Sequence, residues 1–94
     1  MTTLYIQKIQ AQVRKIARLG SVAFGWHCKN ESMIKRSVDA LDILKVLKNG
    51  KVSQEPDPET DRKFKVVGQD LNRKELTVII IIQDKDSLSV RTVW

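Results

Sequence analysis

The sequence predicts an α+β domain: two to three N-terminal helices packed on one face of a small three- to four-stranded antiparallel sheet. Three observations lead there. Apolar residues recur every three or four positions in the first half of the chain, the period of an amphipathic helix. In the last third they alternate or run together, as in strands. Between the two lies Gln54-Glu-Pro-Asp-Pro-Glu-Thr-Asp61, whose two prolines and four acids predict a loop.

Ile6, Ile9, Val13, Ile16 and Leu19 define the first helix, which Gly20 stops. Its outer face carries Lys8, Arg14, Lys15 and Arg18, either a solvated surface or a stripe that follows phosphates. Ser21 to Trp26 is a short apolar stretch broken by Gly25, read as a strand or as an extended entry into a helix from about His27 to Arg36. The next helix is better marked. Asp39 caps it with Asp42 three residues on, Leu41, Ile43, Leu44, Val46 and Leu47 form its apolar face, and Asn49-Gly50 closes it. Lys51 to Ser53 is a candidate brief strand.

Arg62–Gly68 sets Phe64 and Val66 against Lys63 and Lys65, Leu76–Ile82 is almost continuously apolar, and Leu88–Trp94 alternates again. The intervening turns are short enough for antiparallel hairpins. A strand apolar on both faces belongs in the centre, so Leu76–Ile82 is expected between its two neighbours.

At 94 residues the chain is read as one domain, residues 1–94, with an amphipathic helix over 1–19 and an α+β core over 20–94. Seventeen basic against eleven acidic side chains give a net charge of +6, which favours an anionic partner, nucleic acid first. Residues 1–30 hold five bases and no acid. One cysteine cannot form an internal disulfide, and one histidine with one cysteine is too few for a structural zinc site, so a reducing cytoplasm is expected, with no metal and no cofactor. The longest apolar run, Val78–Ile82, is far short of the roughly 20 residues that span a bilayer, and Met1-Thr-Thr-Leu-Tyr-Ile-Gln-Lys lacks the pattern of a secretion signal.

Most enzyme classes lack their parts in this chain. His27 and Cys28 are adjacent, so on a helix they diverge by about 100° and make a poor nucleophilic pair. There is no Gly-rich phosphate loop. Metal-free RNA cleavage remains feasible. The ribose 2′-hydroxyl attacks the adjacent phosphate, and the protein supplies a base, an acid and cations. His27 is the proton-transfer candidate, because histidine's ordinary pKa of about 6.5 allows both protonation states near neutral pH. Lys63, Lys65 and Arg91 are candidate phosphate ligands, with Lys63 and Lys65 also readable as solubilising edge charges. Arg36 lies about two and a half helical turns from His27, so a kink or the tertiary fold must reunite them.

The strings Ser32-Met33 with Arg36, Asp42-Ile43 with Val46-Leu47, Gly50-Lys51-Val52, Pro56-Asp57, Val67-Gly68-Gln69-Asp70, Leu76-Thr77-Val78-Ile79 and Val90-Arg91-Thr92-Val93-Trp94 carry a resemblance. Over about residues 20–94 the chain resembles a family of small prokaryotic proteins known as a domain of unknown function, similar to the RelE-like and BrnT-like toxins of toxin–antitoxin pairs. That resemblance implies a RelE-like sheet with helices on one face, mRNA cleavage with or without the ribosome, and inhibition by a cognate antitoxin. The family pattern reads roughly His-Ala-x-x-Arg-Met-x-x-Arg. Aligning Met33 and Arg36 puts Cys28 on the histidine and Ser32 on the first arginine, with His27 one residue early. Either a local bulge lets His27 substitute, or the hydrolytic machinery is gone. Arg36 and Thr92 match the pattern.

The expected function is therefore a toxin, a metal-independent endoribonuclease or translation inhibitor, using His27, Arg36 and Thr92 with Lys63, Lys65 and Arg91 on the RNA. The alternative is a non-catalytic relative acting as a protein- or nucleic-acid-binding inhibitor from a mobile element. A homodimer formed by pairing the Leu88–Trp94 strand is a third expectation.

Overall fold

The computed structural model describes residues 4–54 and 62–94; the proline-rich stretch 55–61 and the first three residues lie outside them. Helix α1 (Leu4–Leu19) buries Val13 and Ile16 in the core and rests Ile6 and Ile9 against it. It ends where the Gly20 amide donates to the Ile16 carbonyl, and a Cβ on Gly20 would overlap the Asp86 carbonyl oxygen. Glycine is thus required by a close approach of two backbones.

Strand β1 (Ser21–Phe24) follows, and the chain is then helical from 26 to 36, with α2 (Met33–Arg36) as its last turn. Over Cys28–Ser32 the helix is π-helical: the Met33 amide donates to the Cys28 carbonyl, five residues back rather than four. Ser37 takes a left-handed conformation, φ 54°, and ends the helix. Helix α3 (Ala40–Asn49) opens with a reciprocal cap, Asp39 and Asp42 each accepting the other's backbone N–H, and closes at Gly50.

Strands β2 (Lys51–Gln54), β3 (Lys63–Gln69), β4 (Glu75–Asp84) and β5 (Ser87–Val93) complete a five-stranded sheet of order β1-β5-β4-β3-β2. β4 occupies the centre, where its run of apolar residues is buried from both sides. The expectation of three to four antiparallel strands is corrected in two ways. The sheet has five strands, and it is mixed, because β1 pairs in parallel with β5 while the other neighbours are antiparallel. A four-residue strand such as β1 is too short to display a period, and its pairing is decided by residues 66 positions away. β5 lies between β1 and β4 over Ser87–Val90, so that half of the strand is not an open edge. β3 is likewise interior over Phe64–Val67, so Lys65 is not an edge charge.

The two faces of the sheet differ. One carries Phe64, Val66, Val78, Ile80, Leu88 and Val90 into a common core with α1 and α3. The register pairs Lys63 with Ile81, Lys65 with Ile79 and Ile79 with Thr92 on the opposite face. Among the described residues, none of the long helices packs there.

Candidate functional site

A cavity of about 570 Å³ is lined by Gly25, Trp26, His27, Lys63, Arg91 and Thr92. The fold makes it in three steps. β1 stops at Phe24, the chain turns at Gly25, whose amide donates to the Val90 carbonyl, and the helical segment then runs beside the free half of β5. In β5 the register to β4 slips between Val90 and Thr92, so Arg91 is an extra residue bulged out of the ladder and is exposed. Lys63 reaches the same cavity from β3, on the face its pairing with Ile81 dictates.

Four of the six residues singled out from the sequence, His27, Lys63, Arg91 and Thr92, thus share one cavity. The other two do not join them. Lys65 is half-buried one register step along, beside Ile79. Arg36 is exposed and its guanidinium donates to the Glu75 carbonyl at 3.1 Å, at the far end of β4. The helix between His27 and Arg36 is continuous through its π-helical turn, and Arg36 does not line the cavity.

Two residues were not anticipated as site members. Glu31 Oε2 lies 2.7 Å from His27 Nδ1, with the side chains 46% and 61% exposed. A carboxylate can only accept, so Nδ1 carries the proton and, in the neutral ring, Nε2 is the basic nitrogen. The spacing of four residues on a helix was the available signal. Ser32, almost buried, shares a 2.7 Å hydrogen bond with the Thr92 hydroxyl and so ties the π-helical turn to β5.

Cys28 points the other way. It is fully buried in the core, and burial pushes its thiol above the ordinary cysteine range, which suits a packing role and not a nucleophile. Among the described residues, no three His, Cys, Asp or Glu side chains are grouped to hold a metal ion. A second groove of about 420 Å³, between α1 and the ends of β3 and β4, brings together Tyr5, Phe64, Asp84 and Lys85 but no imidazole.

The family described as a domain of unknown function (DUF4258) matches residues 27–94. The chain belongs to this family. The DUF4258 match begins at the cavity histidine and takes in Glu31, Ser32, Lys63, Arg91 and Thr92, while α1 and β1 precede it. No curated protein and no solved structure matches the chain. No helix among the described residues is long and apolar enough to cross a membrane.

Proposed function

We propose that this DUF4258 chain is a toxin that cleaves RNA at the His27 cavity by metal-independent transesterification, as its resemblance to RelE-like and BrnT-like toxins implies. The observation that carries the reading is an imidazole oriented by Glu31 at 2.7 Å in a cavity whose other polar walls are Lys63, Arg91 and Thr92. In the step, His27 Nε2 takes the 2′-hydroxyl proton, the 2′-oxygen bonds to phosphorus, and the bond from phosphorus to the 5′-oxygen breaks. The proton held by His27 passes to the departing 5′-oxygen, leaving a 2′,3′-cyclic phosphate and a 5′-hydroxyl. Lys63 and Arg91 stabilise the charge that gathers on the phosphoryl oxygens, and Thr92 donates a hydrogen bond to one of them. Lys65, one register step along the same face, continues the cationic track for a flanking nucleotide.

The π-helical segment supports this reading. A π-turn accommodates one extra residue in an α-helix, and the family pattern leaves His27 one residue early. The extra residue is absorbed between His27 and Met33, which brings His27 to the cavity wall while Cys28 turns inward. The substrate is mRNA in the cytoplasm, free or on the ribosome, and the cognate antitoxin is a protein that covers the cavity. The rival reading, a non-catalytic inhibitor docking through the same face, draws on the serine at position 32, whose hydroxyl is engaged by Thr92 where the pattern has an arginine.

Purified protein is incubated with single-stranded RNA, and the fragment ends are identified. The proposal expects 2′,3′-cyclic phosphate ends that His27→Ala abolishes, with growth arrest on induced expression lost in parallel. Intact RNA and normal growth with the wild-type protein would refute cleavage, and binding that survives His27→Ala without any cleavage favours the inhibitor.

A further inference from the structure

Helix α1 carries Lys8, Arg14, Lys15 and Arg18 and no acidic residue. Arg14 is turned toward the body of the protein, where its guanidinium lies 3.4 Å from the Gly50 carbonyl. The other three are exposed and share one stripe with exposed Ala11, opposite the buried Val13 and Ile16. At 1.5 Å per residue the stripe is about 15 Å long. Among the described residues none of its three cations forms an ion pair.

A face built only for solubility intersperses both signs, since opposite charges three or four apart support a helix and like charges weaken it. Here Lys15 with Arg18, and Arg14 with Arg18, are like-charge pairs at those spacings, and no acid in the first turn complements the helix dipole. Arg18 in the last turn suits the helix dipole, but no acid on α1 offsets its four bases, and this unbalanced charge points to an anionic partner. A protein partner requires a large apolar or aromatic anchor near the middle of the contact. The middle of this stripe is Ala11, and the exposed large residues Leu4 and Leu19 sit at its two ends. A phosphate backbone requires only point charges. A stripe of this length, with three point charges, can follow a few successive phosphates of a duplex strand.

We infer that the outer face of α1 is a docking surface for the backbone of double-stranded RNA. The choice of RNA over DNA rests on the reading of the His27 cavity given above; the duplex contact itself does not. α1 packs on the core side of the sheet, whereas the cavity opens on the other, so the duplex held by α1 is separate from the strand in the cavity. The surface is sequence-independent, since no side chain on the stripe is suited to reading bases.

The test measures binding of a 20-base-pair RNA duplex as a function of salt, using the wild type and the variant K8Q/K15Q/R18Q, both carrying His27→Ala so that cleavage cannot intervene. Loss of three phosphate contacts is expected to flatten the plot of log affinity against log salt by about two to three units, while K63Q/R91Q leaves the duplex slope in place. An unchanged slope in the α1 variant overturns the proposal. So does equal competition by polyglutamate, which would assign the face to an acidic protein, or preference for a DNA duplex of the same length. Cleavage of single-stranded RNA by proteins that keep His27 is measured alongside: its failure speaks against the cavity reading and leaves the duplex result standing.

Discussion

Two acidic side chains of this protein lie in the first turns of helices, and their surroundings could hardly differ more. Asp42 opens α3 in a nearly buried position, where its carboxylate accepts from the Asp39 amide at 3.0 Å and from the Leu71 amide at 2.9 Å. It therefore ties the helix to the β3–β4 turn, which Asp70 closes internally by accepting from the Asn72 and Lys74 amides. Glu31, in the π-helical segment, is 46% exposed and accepts from an imidazole at the rim of a cavity. One carboxylate satisfies backbone donors that would otherwise be stranded; the other spends its lone pairs on a titratable ring. A buried acid with only backbone partners is structural, whereas the exposed acid holding a histidine beside two cations is, on the function proposed above, there to move protons.

The contrast is broken most severely at His27. His27→Ala is expected to lower RNA cleavage by about 10²–10⁴-fold, the usual worth of a positioned proton-transfer group, and to leave stability within about 0.5 kcal/mol because the ring is exposed. Rates and urea midpoints measured on the same preparations check both halves. An active His27→Ala protein would mean that the imidazole is a bystander.

Asp42→Ala should show the reverse: intact cleavage chemistry and a loss of about 1–3 kcal/mol, since two amides and a helix cap lose their acceptor. The effect depends on pH in a definite sense. The hydrogen bonds from Asp39 and then Leu71 hold the Asp42 carboxyl below the usual carboxylate range. Its contribution is thus complete above the unfolded carboxylate pKa of about 3.9 and is lost as pH falls through the lower folded value. Urea unfolding at pH 7 should separate wild type from Asp42→Ala, and the separation should shrink toward pH 3.

Glu31→Gln sharpens the comparison at smaller scale. Replacing the charged acceptor with a neutral one weakens its hold on the ring, and cleavage should fall about tenfold, the worth of one charge-assisted hydrogen bond. Stability should move little, as for other exposed pairs. A Glu31→Gln protein as stable and as active as the wild type would reduce the contact to a surface ion pair.

The same contrast explains what could be read in advance. α1 and α3 were legible because sixteen and ten residues repeat the helical period several times, and the Asp39–Asp42 box is a local signal. β3, β4 and β5 were legible by alternation. β1 was legible only as a strand or an extended entry, and its parallel pairing with β5 was not legible at all. His27, Lys63 and Arg91 could each be named for their chemistry and Thr92 through the resemblance, but their convergence depends on that pairing and on the bulge at Arg91. The π-turn leaves no mark in an apolar pattern; only the one-residue misfit of His27 hinted at it.

The smallest expected effect concerns Arg36, the residue at which resemblance and geometry part. Its match to the family pattern implied a catalytic role, yet the guanidinium sits on the Glu75 carbonyl and does not line the cavity. Position along a helix decides this. The π-turn absorbs the extra residue, so phase does not part the two; nine residues of helix, about 13 Å, do, with the guanidinium held at the opposite end of β4. Arg36→Gln removes one exposed hydrogen bond to a carbonyl, so it should change stability by less than about 1 kcal/mol and cleavage by less than about threefold. A loss comparable to that of His27→Ala would show that the helix rearranges when RNA binds, carrying the guanidinium into the cavity.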